Sequence, residues 1–199
     1  MNYDLPDGIK ALIFDLDGTL ADTMPLHMEA WKKACNSYGM DMSSEFLRSF
    51  TGSPGINIAR AIIKEYSKKD IIDPYDIVSR KRKLFTDMQH RVKEVAPVAG
   101  IVRKYHDVIP LAVGTGGPRD TVMRTLELIG MKEYFSHIVT ADDVENHKPD
   151  PETFLKCAGL LGVDPSDVIV FEDGDLGIRA AGSAGMQAVD VRDWYEYSW

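Results

Sequence analysis

The segment Phe14-Asp15-Leu16-Asp17-Gly18-Thr19-Leu20 constrains this chain more than any other. An apolar run, Ala11 to Phe14 with Ile9 ahead of it, leads into two aspartates one residue apart. Unbroken apolar character of this kind predicts a strand buried on both faces, as in a parallel sheet. Gly18 and Thr19 break the run, so Asp15 and Asp17 emerge at a strand end, where an open α/β sheet gathers its ligands. Two carboxylates this close repel each other and favour a cation.

Further apolar runs predict strands at Val108–Val113, Ile138–Thr140, Val168–Phe171 and Gln187–Val191, after a first strand at Ile9–Phe14. Helical patterns over Arg119–Leu128, Pro151–Leu161 and Leu176–Ala184 separate the later ones. Strand–helix alternation predicts right-handed βαβ units, and hence an α/β fold with a Rossmann-like, doubly wound parallel sheet. Residues 23–96 break the rhythm. They show helical patterns at Leu26–Tyr38, Ser43–Phe50, Asn57–Tyr66 and Tyr75–Val92, punctuated by Gly39, Gly52-Ser53-Pro54-Gly55 and Asp73-Pro74. About 70 helical residues between two strands are too many for a simple crossover. The expected organisation is a core from residues 1–22 and 97–199, with residues 23–96 as an inserted α-helical cap domain.

Bulk properties narrow the partners. A chain of 199 residues suffices for one substantial core and a smaller appended domain. The net charge of −8 argues against nucleic acid. A small anionic substrate remains compatible, because a bound cation and a few basic residues reverse the local field. No stretch approaches a membrane span, and Met1 to Lys10 lacks the apolar core of a signal peptide. Cys35 and Cys157 have no metal-ligand spacing and read as buried, reduced thiols of a cytoplasmic protein. The chain is expected to be a monomer or a weak homodimer. The aromatic tail from Asp193 to Trp199 reads either as packing on the body of the same chain, the favoured reading, or as an interface anchor.

Three more strand ends carry polar signatures. Val113-Gly114-Thr115-Gly116-Gly117 stops a strand at a hydroxyl and a glycine turn, whose amides and following helix cradle an anion. Asn146-His147-Lys148-Pro149-Asp150-Pro151 places a lysine just before a helix. Val168-Ile169-Val170-Phe171-Glu172-Asp173-Gly174 ends a buried strand on adjacent acids, which is unfavourable without a cation or donors. Each alone is ambiguous, since many glycine turns are only turns and most lone lysines are solvated.

Taken in order, the four segments resemble the motifs of the haloacid dehalogenase-like hydrolase superfamily. The position of the insert and Lys-Pro-x-Pro-x-x-Phe at Lys148–Phe154 resemble its β-phosphoglucomutase-like subgroup. Gly52-Ser53-Pro54, Ala112-Val113-Gly114-Thr115-Gly116 and Ala188-Val189-Asp190-Val191-Arg192 are similar to sugar phosphatases of the fructose-1-phosphate phosphatase type. The resemblance implies a phosphatase for a small sugar or polyol phosphate monoester, working through an aspartyl-phosphate. Asp15 is then the nucleophile and Asp17 the general acid and base. Mg²⁺ is the implied cofactor, held by Asp15, the Asp17 backbone carbonyl and Asp173, with Glu172 as ligand or as a support for the ligands. Thr115 and Gly116 would hold phosphate oxygens, and Lys148 would neutralise the transferring group. Thr23, His27, Gly52, Ser53 and Lys81 are the implied substrate contacts in the cap, although His27 reads nearly as well as a packing histidine. Arg80 to Lys83 cannot all point one way on a helix.

Three related activities stay open. β-Phosphoglucomutase uses the same aspartates on the same fold but places an arginine in the cap loop, about where this chain has Pro54. Phosphoglycolate phosphatase is the second, and phosphonate cleavage, which needs a cap lysine that forms a Schiff base, is the third. A non-catalytic binding protein on this fold would be expected to have lost one of Asp15, Asp17, Lys148 or Asp173, and none is lost.

Overall fold

A computed structural model describes residues 3–50, 54–67 and 71–195. The described residues divide into two compact units, one of residues 3–22 and 92–195 and the other of residues 23–50, 54–67 and 71–91.

The first unit is built on a five-stranded, all-parallel sheet. Its strands are β1 (Ala11–Phe14), β2 (Leu111–Gly114), β3 (His137–Val139), β4 (Val168–Glu172) and β5 (Gln187–Asp190), in the order β3-β2-β1-β4-β5. The central strands β1, β2 and β4 are buried at every position. Their residues alternate between two apolar clusters. Leu12, Phe14, Leu111, Val113, Ile169 and Phe171 pack with residues of α5 (Ala96–Tyr105) and α6 (Arg119–Leu128). Ala11, Ile13, Ala112, Val168 and Val170 pack instead with residues of α7 (Glu152–Leu161) and α8 (Asp175–Ser183). Period-two alternation into two helix layers is why these strands read as continuous apolar runs.

The second unit contains α1 (Met24–Asn36), α2 (Ser44–Arg48), α3 (Gly55–Glu65) and α4 (Pro74–Met88). Asp73 caps α4 by accepting from the Tyr75 amide at 2.9 Å, with Pro74 at the first helical position, where its missing N–H costs nothing. Trp31, Ile58, Ile62, Ile63 and Ile77 lie in one buried cluster.

Two readings of the sequence need correction. The strand expected from Val108 begins at Leu111. Val108 and Ile109 instead donate to the Tyr105 carbonyl, continuing the turn that ends α5, and Val108 is exposed. Helix α5 has no clear helical signature in the sequence, because Pro97 and Gly100 interrupt its pattern. Pro97 falls in its first turn, where proline is tolerated. The expected helix over Tyr75–Val92 stops at Met88 and passes into a 3₁₀ turn at Gln89–Arg91.

Both cysteines are buried and free, and burial pushes their thiols up, Cys35 to about 11 and Cys157 to about 12. They are therefore inert at neutral pH. Trp194 packs against Tyr3 and Phe171, and the Tyr195 hydroxyl donates to Asp22 at 3.1 Å. This part of the tail packs on its own chain; residues 196–199 lie outside the described residues. No helix of the described residues is long and apolar enough to cross a membrane.

Candidate active site

Register brings the acids level. Phe14 pairs with Val113 on one side and with Phe171 on the other, so the next residues along β1 and β4 are Asp15 and Glu172. The Asp15 amide donates to the Phe171 carbonyl at 3.0 Å and fixes that alignment. Thr115 follows β2, held by its amide to the Val139 carbonyl at 3.0 Å. The acids therefore sit at the carboxyl ends of β1 and β4, where the strand order reverses and such sheets bind ligands.

Asp15, Glu172 and Asp173 each offer a carboxylate oxygen, and these lie within 4.8 Å of one another. Two of the three acids share one ammonium. Lys148 Nζ donates to Asp15 Oδ1 and to Glu172 Oε1, each at 2.7 Å, and lies 4.6 Å above the Phe154 ring. Glu152 orders the loop leading to Lys148 by accepting from the Glu145 and Asn146 amides at 2.9 and 2.8 Å. Glu172 Oε2 takes the Gly174 amide at 2.6 Å, and Asp173 Oδ1 takes the Thr19 hydroxyl at 2.9 Å. Gly18, at φ +89°, passes so close to Asp173 that a Cβ there would stand 2.2 Å from Oδ2. Glycine is required both by that approach and by the positive φ.

Three carboxylates against one ammonium leave excess negative charge out of water. Burial raises the Asp15 pKa well above the ordinary carboxylate value. Lys148 opposes the shift, and Glu172 and Asp173 add to it. Burial, helped by Glu172, pushes Asp173 up to about 7 against the Thr19 hydroxyl and Lys148. For Lys148, burial disfavours the charge, but the Asp15 and Glu172 carboxylates outweigh it and raise its pKa. This donor set fits a hard divalent cation: it is all oxygen, clustered and short of positive charge.

The sign of the pH dependence follows. Asp173 ionises near its ordinary value in the unfolded chain but only at about 7 when folded. The cation-free protein therefore loses stability as pH climbs through that window, at up to about 1.4 kcal/mol per pH unit for each such proton. A divalent cation must displace that proton, so adding one just below neutrality should acidify a weakly buffered solution. A calorimetric titration in two buffers of different ionisation enthalpy would show proton release, and an absence of proton release would contradict the charge accounting.

Asp17 reaches toward the turn after β2. Its Oδ2 lies 3.5 Å from where a Cβ on Gly117 would be, and Thr115 Oγ1 lies 3.7 Å from the same point. The Asp17 carboxylate and the Thr115 hydroxyl thus flank one glycine of the β2 turn. Thr115 is buried and Oγ1 accepts from the Gly117 amide at 3.2 Å, while Gly116 is exposed. The structure brings Asp15, Glu172, Asp173 and Lys148 together, with Asp17, Thr115 and Gly116 on the neighbouring loops.

Three of the remaining predicted contacts, Thr23, His27 and Lys81, lie in the helical unit. Thr23 is buried at the start of α1, and its hydroxyl has no hydrogen-bond partner among the described residues. His27 stacks on Phe85 at 4.1 Å, and its Nδ1 lies 2.7 Å from Lys81 Nζ. Lys81 also sits over the Trp31 ring. Of the four consecutive basic residues, Arg80 reaches Tyr38 and Lys83 pairs with Asp87, so the run does fan out. Gly52 and Ser53 lie outside the described residues.

Sequence reasoning passed over two contributors. Thr19 reads in the sequence only as a residue that breaks the apolar run, whereas its hydroxyl holds Asp173. Phe154 was noted as part of a pattern, and its spacing from Lys148 was the available signal for its place beneath the ammonium.

Comparison with known proteins identifies the family of this chain. The profile of the haloacid dehalogenase-like hydrolase family matches residues 12–191. Fructose-1-phosphate phosphatase YqaB of Escherichia coli is 42% identical over 91% of this chain and 95% of its own length. A phosphorylated carbohydrates phosphatase of Thermotoga maritima is 31% identical over 91% of this chain and 84% of its own. Among solved structures, β-phosphoglucomutase from Clostridium difficile superposes with a TM-score of 0.81 at 26% identity, covering 92% of this chain and 84% of that one. With the family profile spanning the sheet from β1 to β5, and close identity to a relative along nearly its whole length, this chain belongs to the haloacid dehalogenase-like hydrolases.

Proposed function

We propose that this protein is a Mg²⁺-dependent phosphatase of the cytoplasm, hydrolysing a small sugar or polyol phosphate monoester through a phosphorylated Asp15. The observation that carries the reading is the cluster of Asp15, Glu172 and Asp173, of which Asp15 and Glu172 hold the buried Lys148 ammonium, with Asp17 beside the Thr115 turn. The relatives from E. coli and T. maritima, both named as phosphatases of phosphorylated sugars, support the substrate class.

In this reading Asp15 attacks the substrate phosphorus through a carboxylate oxygen, and the bond from phosphorus to the leaving oxygen breaks. Asp17 gives its proton to that oxygen, then takes one from the water that attacks the phosphoryl group on Asp15. Phosphate leaves and both aspartates return to their starting states. Asp15, Glu172 and Asp173 are the side chains that would hold Mg²⁺, with the Asp17 backbone carbonyl. Bound there, the ion supplies positive charge to the phosphate oxygens and keeps Asp15 ionised. Lys148 adds fixed positive charge to the transferring group and keeps Asp15 in place. Thr115 and the Gly116 amide donate to phosphate oxygens. Fixed donors of this kind are usually the largest catalytic term in phosphoryl transfer. His27, Lys81, Thr23, Gly52 and Ser53 are assigned to selection of the leaving group.

A panel of phosphate esters tests this. Fructose 1-phosphate and other hexose phosphates should release inorganic phosphate with Mg²⁺, with chelator abolishing the release and added Mg²⁺ restoring it. Changing His27 or Lys81 to Ala should reorder the sugars while hydrolysis of a simple aryl phosphate changes little. The likeness to β-phosphoglucomutase gives the opposing outcome. Conversion of β-glucose 1-phosphate to glucose 6-phosphate without phosphate release would make the protein an isomerase. Preference for phosphoglycolate would move the substrate class.

A further inference from the structure

We propose that Gly177, in α8, is a positioning residue for Lys148: lacking a Cβ, it leaves the space in which the Glu172 carboxylate lies while holding the lysine. The catalytic consequence rests on the phosphatase reading above; the spatial relation stands without it.

A Cβ on Gly177 would stand 1.7 Å from Glu172 Oε1, 2.1 Å from its Cδ and 2.7 Å from its Cγ. An exposed carboxylate would swing aside at little cost, but Glu172 is only 4% exposed and both its oxygens are engaged. Oε1 takes Lys148 Nζ and Oε2 takes the Gly174 amide. Displacing it therefore breaks two buried, charge-assisted hydrogen bonds. The backbone does not ask for glycine here, since Gly177 lies inside a helix and is not among the glycines with positive φ. At a helical position alanine is ordinarily the more stable residue. What glycine supplies is volume. With Glu172 displaced, Lys148 keeps Asp15 alone as its partner, and the ammonium moves from the position in which both acids hold it.

The test is a double-mutant cycle between Gly177→Ala and Glu172→Ala, read by thermal melting of the metal-free protein and by steady-state hydrolysis of an aryl phosphate with Mg²⁺. Gly177→Ala alone should lower Tm by about 5 °C or more. In the Glu172→Ala background the same change should leave Tm unchanged or raise it, because the volume is free and alanine favours the helix. In the otherwise native protein Gly177→Ala should lower kcat by about tenfold or more, with KM within about twofold, because substrate contacts are intact and only the placement of charge is altered. The proposal is overturned if Gly177→Ala lowers Tm equally in both backgrounds, or if kcat survives it. If the native protein releases no phosphate while the Tm effect still depends on Glu172, the phosphatase reading fails and the spatial role of Gly177 stands.

Discussion

Asp15→Asn should reduce phosphate release by about ten-thousand-fold or more, since it removes the attacking carboxylate and leaves only binding and electrostatic effects. The same change should not unfold the protein. Asp15 is buried, and burial together with Glu172 and Asp173 disfavours its charged form. Asparagine is the neutral shape-match of that carboxyl, and Glu172 still pairs with Lys148. The cation-free variant should therefore melt no lower than the native protein. Loss of activity with Tm preserved, seen in parallel phosphate-release and melting measurements, separates a missing nucleophile from a damaged fold. Turnover within about tenfold of native would remove Asp15 from the chemistry.

Lys148→Met should be the second largest effect, and unlike the first it should reach stability as well. Methionine retains length and apolar contact with Phe154 but leaves Asp15 and Glu172 without their counter-ion. Breaking a buried ion pair from one side costs about 3–5 kcal/mol. Asp15 can avoid part of that cost by staying protonated, so its pKa moves further up. A carboxyl with a raised folded-state pKa loses stability as pH rises. The Tm deficit of Lys148→Met should accordingly be small near about pH 5 and large near about pH 8 in metal-free buffer. Mg²⁺ should recover part of it, because a cation at the same acids replaces some of the lost charge. Catalysis should still fall by about a thousand-fold with the ion present, since the ammonium at the transferring group is gone. A Tm deficit that does not depend on pH would show that Lys148 stabilises by packing rather than by charge.

The pattern of success in reading this chain follows from where information is local. Strands β1, β2 and β4 are buried on both faces, so burial is written as continuous apolar runs, and the acids that end them could be placed at strand ends without knowing the fold. The order β3-β2-β1-β4-β5 is not local. It is set by which helices cover which face, and only that order puts Glu172 level with Asp15. Helix α5 was missed because proline and glycine have opposite meanings in a first turn and in a helix interior, and the sequence does not say which applies. Phe154 could be linked to Lys148 by spacing, but its place under the ammonium depends on the turn between them. Gly177 carries no sequence mark at all. It stands in a run of small residues that reads as packing, and its part emerges only when the Glu172 side chain is placed in three dimensions. The contacts assigned to Thr23, His27 and Lys81 came from resemblance, and the structure adds a new relation within the helical unit, the His27–Lys81 pair on Phe85 and Trp31.

Trapping the phosphorylated protein is the most direct test of the account's central claim, that Asp15 accepts the phosphoryl group. The native protein would be mixed with a radiolabelled sugar phosphate and Mg²⁺, quenched in acid within the first turnover, digested and mapped. The account predicts acid-stable, hydroxylamine-labile label on the peptide that carries Asp15, and none in Asp15→Asn. Label on any other residue, or phosphate released at the full rate with no labelled protein at any quench time, would contradict it.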